Sequence, residues 1–197
     1  MTHWDLRYSG EDYHYGTEPN DFLVSVADRI PDGPVLCLAA GEGRNAVYLA
    51  ALGHPVTAVD SSPVGLDKAR RLARRRGVEI ETVATDLAHF AIEPEAWAGI
   101  VSIFGHLPPP LRARVHASSV RGLRRGGVFV LEAYTPQQLE LRTGGPPTTE
   151  LMMDLRALER ELEGLRLDVA REIRRPVHEG HGHRGKAAVV QLLGVKR

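Results

Sequence analysis

Val35-Leu36-Cys37-Leu38-Ala39-Ala40-Gly41-Glu42-Gly43-Arg44-Asn45 decides the fold. The first five residues are apolar with no polar alternation, the mark of a strand buried on both faces. Two glycines follow, and Arg44 to Leu52 then has helical spacing. Strand, glycine turn and helix make the first half of a βαβ unit. Glycine lets the chain bend tightly and lets a ligand approach the backbone closely. The start of the helix offers free N–H groups and a partial positive charge, which favour an anionic group. Cys37, the single cysteine, has no partner for an internal disulfide and reads as a buried thiol.

Outward from this stretch the same alternation repeats. Strands are expected at Val56–Val59, Ile80–Val83, Ile100–Phe104 and Val128–Ala133, with helices at Val64–Arg76 and Leu111–Leu123. Strands that alternate with helices imply a mainly parallel sheet with right-handed crossovers. Upstream, Asp21–Arg29 reads as a helix stopped by Pro31-Asp32-Gly33-Pro34. Downstream, Leu151, Leu155, Leu158, Leu162 and Leu165 predict an amphipathic helix over Met152–Leu165. Leu167–Val177 and Ala187–Val195 then read as strands joined by the Gly-rich turn 180–185, and with no helix between them they must pair antiparallel. The expected fold is α/β: a doubly wound, mostly parallel seven-stranded sheet with a C-terminal antiparallel hairpin. Residues 1–197 are read as one domain, with 1–20, rich in aromatics, as a substrate-side lid.

Composition narrows the function classes. Lys+Arg and Asp+Glu balance at 25 each, so the charge shows no bias toward nucleic acid or an anionic membrane. Arg70, Arg71, Arg74, Arg75 and Arg76, with Lys68, read as the solvated face of one helix. No apolar stretch approaches the roughly 20 residues that span a bilayer, and the polar opening segment is no signal peptide. A cytoplasmic chain with neither nucleic-acid nor membrane partners is expected.

Two carboxylates join the glycine turn. The second strand ends in Val59-Asp60-Ser61-Ser62, where an acid can accept hydrogen bonds from ribose hydroxyls. Ser62-Pro63 also fits a helix cap. The third strand leads to Thr85-Asp86-Leu87, where a carboxylate can meet an adenine amino group. Doubly wound sheets bind ligands at these carboxyl ends. An NAD-linked oxidoreductase competes, because Gly41-x-Gly43-x-x-Ala46 fits its fingerprint. Against it stand the negative Glu42 in a turn meant for pyrophosphate, and the terminal hairpin.

The glycine stretch, Asp60, Asp86, the run LRRGGVFV over 123–130 and the hairpin together resemble the class I S-adenosylmethionine (SAM) dependent methyltransferases. The small bacterial tellurite-resistance and thiopurine type is most similar, with Tyr15-Gly16-Thr17-Glu18-Pro19-Asn20 fitting its opening segment. The resemblance implies SAM as cofactor and a small-molecule methyl acceptor, often a sulfur, selenium or tellurium nucleophile. It implies cofactor contacts from Ala39, Gly41, Glu42, Gly43, Arg44, Asp60, Ser61, Asp86, Leu87 and Phe104. Cys37, Ala39 and Ala40 depart from the family's first motif, which leaves open whether Glu42 or a carbonyl orients the cofactor's ammonium group. That departure also motivates a third reading, a non-catalytic SAM sensor. On the substrate side stand His106, as base or hydrogen-bond partner, and Tyr15, His178, Glu179 and His183. The glycine spacing among the last histidines gives no rigid ligand geometry, so no metal is expected.

Overall fold

A computed structural model describes residues 2–197, apart from the His183 side chain. Seven strands form one sheet: β1 (Val35–Leu38), β2 (Val56–Asp60), β3 (Glu81–Ala84), β4 (Trp97–Ile103), β5 (Leu123–Tyr134), β6 (Leu165–Glu179) and β7 (His183–Lys196). Their order is β3-β2-β1-β4-β5-β7-β6. The first five are parallel, and β7 runs antiparallel between β5 and β6. Strand β6 therefore points the same way as β1–β5, and its end at Glu179 reaches their carboxyl edge.

Side-chain alternation sorts the two faces. Val35 and Cys37 point with Val101, Val128 and Val130 toward α2 (Asp21–Val26), α3 (Arg44–Ala51) and α4 (Pro63–Arg76). Leu36 and Leu38 point with Ile100, Phe129 and Leu131 toward α5 (Pro109–Gly122) and α7 (Leu155–Glu161). Both faces of the central strands are thus dry, which is why these strands read as continuous apolar runs.

The structure corrects several boundaries. The predicted helix over Met152–Leu165 shrinks to α7, capped by the Asp154 side chain. Gly164, at φ +100°, breaks it, and Leu165 already belongs to β6. Both hairpin strands are longer than expected, and Glu179 pairs directly with His183, so the turn closes over 180–182 rather than 180–185. Asp21–Arg29 splits into α2 and a 3-10 turn at Ala27–Arg29. Two short helices had no counterpart in the sequence reading. They are α1 (His3–Tyr8), closed by a capping box between Thr2 and Asp5, and α6 (Gln138–Leu141). Among the described residues, no helix is long and apolar enough to cross a membrane.

Candidate active site

The order reversal of the sheet lies between β1 and β4, and the backbone there is strained. Ala39 (φ +49°), just past β1, and Phe104 (φ +54°), just past β4, both sit in the left-handed region. A non-glycine residue held there costs on the order of 1–3 kcal/mol, a cost typical of functional sites. Gly41 and Gly43, at φ +54° and +86°, complete the bend into α3. A Cβ on Gly43 would collide with Ala69 of α4, so this glycine serves helix packing.

Asp60 closes the bend from β2. Its Oδ2 accepts the Gly41 N–H (2.8 Å) and its Oδ1 accepts the Ser62 N–H (2.8 Å). Burial pushes its pKa up, and the backbone donors oppose that. The capping role of Ser62 holds as well, since its Oγ accepts the Gly65 N–H and donates to Asp5 Oδ1 (2.6 Å). Thr85 N–H donates to the Asp60 carbonyl, so Asp86 emerges beside Asp60 on the same edge. Asp86 is exposed, and its Oδ1 accepts the Ala88 N–H (2.7 Å). The glycine bend, Asp60 and Asp86 therefore lie on one edge of the sheet. Ser61 and Leu87 flank them, both half-buried.

Glu42 and Arg44 turn elsewhere. Glu42 Oε1 accepts from Lys68 Nζ (2.7 Å), and both side chains are at most 3% exposed. Lys68 spends its other two protons on the carbonyls of Asp12 and Tyr8. Glu42 Oε2 also accepts the Tyr15 N–H. This pair neutralises Glu42, so its charge no longer argues against a pyrophosphate; the hairpin alone carries that argument. Arg44 pairs with Glu179 (2.6 Å) in a buried contact.

Residues 2–20 form a strap over this edge. Tyr8 is buried, and its hydroxyl lies 2.8 Å from where a Gly41 Cβ would stand. Burial first, then the charge of Asp60, drives its phenol pKa up. His14 O accepts the N–H groups of His181 and Gly182, which locks the strap to the hairpin tip. Below the tip, Asn20 Nδ2 donates to both Glu132 and Glu179, and Glu132 also takes Arg175 and Gln191 Nε2 (2.5 Å). Sequence reasoning gave Tyr8, Asn20 and this network no role and placed Lys68 on a solvated face, whereas Lys68 is buried against Glu42. One signal was present: Glu132 interrupts an apolar strand, and a buried charge needs partners.

The proposed substrate side is aromatic. Phe104, His106 and Tyr134 lie side by side, with ring centroids 4.7 Å (Phe104–Tyr134) and 5.6 Å (His106–Tyr134) apart. His106 Nδ1 meets Leu151 O at 2.8 Å, and Nε2 accepts the Tyr134 N–H at 3.5 Å. These partners fit an imidazole that carries its proton on Nδ1. The Tyr15 hydroxyl accepts from Arg7, and its ring sits 6.4 Å from that of Tyr8. His178 is exposed at the end of β6, away from this cluster's bonds. The His183 side chain lies outside the described residues. Among the described residues, no group of three His, Cys, Asp or Glu side chains has metal-holding geometry.

Comparison with known proteins bears on the family and the fold. Residues 35–127 match a family described as "Methyltransferase domain". An uncharacterized methyltransferase of Bacillus subtilis (strain 168), YodH, is 35% identical over 80 residues, 41% of this chain. The matched stretch spans only 34% of that relative. Three solved structures share the fold. One comes from work on the conversion of a disulfide bond into a thioacetal group during echinomycin biosynthesis (TM-score 0.78, 19% identity, covering 98% of this chain and 90% of that one). TehB of Haemophilus influenzae aligns with TM-score 0.74 at 21% identity, covering 90% and 62%. A SAM-dependent methyltransferase of Clostridium acetobutylicum aligns with TM-score 0.68 at 14% identity, covering 89% of each.

Proposed function

We propose that this chain, whose residues 35–127 match the methyltransferase domain family and whose sheet resembles that of the class I enzymes, transfers a methyl group from SAM to a small soft nucleophile. The observation that carries the reading is the pairing of left-handed Ala39 and Phe104 at the order reversal with Asp60 and Asp86 beside them.

The residues fit the cofactor. A buried acid on the glycine bend suits a ribose diol, because each of its oxygens keeps a second lone pair beyond the backbone N–H it accepts. Asp86, exposed one strand over, suits the adenine amino group, with Leu87 and Phe104 as apolar neighbours. SAM supplies an electrophilic methyl group, so the protein's work is positioning and water exclusion. Tyr8 covers the bend, and the strap with its hairpin lock forms the lid. Glu42, spent on Lys68, is not left to orient an ammonium group; backbone carbonyls of the bend take that role.

The soft acceptor rests on the side chains at the edge. His106 is held by backbone at both ring nitrogens, and Glu179 is paired with Arg44 and Asn20. A thiolate or selenide needs no proton removed, whereas oxygen and nitrogen acceptors more often do. His106 then acts as a wall and hydrogen-bond partner.

Calorimetry with SAM and its demethylated product tests the cofactor. Asp86→Asn, at an exposed position, should keep the native circular dichroism and bind about tenfold more weakly, the loss of one charge-assisted hydrogen bond. Asp60→Ala should abolish binding. No heat with either ligand, or heat with NADH instead, would remove the assignment. Thiols, selenite and tellurite then test the acceptor: methylation confined to amines or phenols refutes the soft nucleophile, and turnover of any acceptor excludes a mere sensor.

A further inference from the structure

The arginine run on α4 does not simply face water. Arg71, Arg74 and Arg75 stand at i, i+3 and i+4, on one side of the helix. Together with Lys68, Glu11 and Tyr13 they line a cavity of about 400 Å³ between α4 and the strap. Other cations of this helix have carboxylate partners: Arg70 has Asp67, Arg76 has Glu18 and Lys68 has Glu42. Among the described residues, Arg71, Arg74 and Arg75 have none. Arg75 instead donates to the Tyr13 hydroxyl (2.5 Å) and lies 5.0 Å from the Tyr13 ring. Lys68 is neutralised by Glu42, so the cavity sets three guanidinium groups against one carboxylate, Glu11.

We infer that this cavity binds a phosphate-bearing small molecule, held by Arg71, Arg74 and Arg75 against the Tyr13 wall. Guanidinium groups present paired donors that match phosphate oxygens, and neutralising three like charges relieves their mutual repulsion. The volume exceeds a single orthophosphate and suits two or three linked phosphates. Tyr13 belongs to the strap and donates its hydroxyl proton to Lys68 O (2.9 Å), so a ligand here also holds the strap to α4. The inference stands apart from the methyl-transfer reading, and either can fail alone.

Pyrophosphate and tripolyphosphate are suitable probes, because they lack the nucleoside an adenosine site reads, and the arginine and Glu11 variants tell this cavity from the glycine bend. Calorimetric titration at low salt, with sodium chloride matched for ionic strength, reads the affinity. Wild type should bind tripolyphosphate saturably at one site. Arg71→Ala/Arg74→Ala, both exposed positions, should weaken it about tenfold or more, the scale of lost charge-assisted bonds. Glu11→Gln should tighten it, whereas Glu163→Gln, the same charge change on the far face of the sheet, should not. No saturable heat beyond the chloride control overturns the site. Equal effects of Glu11→Gln and Glu163→Gln also overturn it, since they would reduce the binding to net charge.

Discussion

Replacing Lys68 by Met should detach the strap and cost a large part of the protein's stability. Lys68 Nζ has three protons and three acceptors: Glu42 Oε1 at 2.7 Å, Asp12 O at 2.6 Å and Tyr8 O at 3.1 Å. Methionine fills the volume but leaves a carboxylate that is 2% exposed with only the Tyr15 N–H at 3.3 Å. Removing one partner of a buried pair costs about 3–5 kcal/mol, against a total of about 5–15 kcal/mol for an ordinary domain. Neutralising the stranded acid in Glu42→Gln/Lys68→Met should recover at least about 1 kcal/mol of that loss, because what hurts most is an unpaired charge. Urea denaturation followed by circular dichroism gives the global values. Trp4 stacks on Tyr8, so in a Trp97→Phe background its emission reports the strap and should red-shift below the global midpoint. A Lys68→Met cost under about 1 kcal/mol, as for an exposed pair, would refute the reasoning. So would a double variant no more stable than the single one.

Glu161 gives a pH test. Burial alone would raise its pKa, but hydrogen bonds from His116 and Arg112 win and hold it at about 2 instead of 4.5. A lowered pKa contributes stability that is present above about pH 4.5 and lost as pH falls toward 2, here up to about 3 kcal/mol. Urea midpoints of wild type and Glu161→Gln should therefore draw together as pH falls from about 4.5 toward 2; a constant gap contradicts the assignment. Burial pushes the Cys37 thiol up to about 12, so a thiol reagent at pH 8 should label it only as fast as the chain unfolds. Rapid labelling of the folded protein would show that β1 is not sealed. Gly182→Ala should loosen the lock between strap and hairpin, since its Cβ would strike the Tyr15 and His14 rings. The amides of His181 and Gly182 should then exchange faster, and unchanged protection would count against the lock.

What the sequence disclosed follows from range. The apolar run into Gly41-x-Gly43, the acids at the end of β2 and just past β3, and the hairpin are local patterns, and each element exists where its pattern marked it, though the hairpin strands run longer. The helix over Met152–Leu165 misled because its leucines keep helical spacing while Leu162 and Leu165 reach the same apolar face from a turn and a strand. Gly164 was the stop signal, and the leucine spacing outweighed it. Lys68 was hidden among arginines: its partner stands 26 positions away, and no local pattern separates a buried lysine from its exposed neighbours. The strap was legible as aromatic, yet its seat on α4 depends on pairings such as Asp5 with Ser62 across 57 positions. The charged cluster under the hairpin joins Asn20 to Glu179 across 159 positions and lay beyond such reading for the same reason.

The interleaved order of the final strands has its own consequence. Strand β6 joins the backbone ladder of the sheet only through β7, which follows it in the chain, so its place in the sheet depends on β7 lying on β5. Through β7 the hairpin covers the edge of β5 and brings Glu179 and the amides of the tip to the opening residues. The cleft under the strap is therefore closed by the last strands of the chain acting on its first residues.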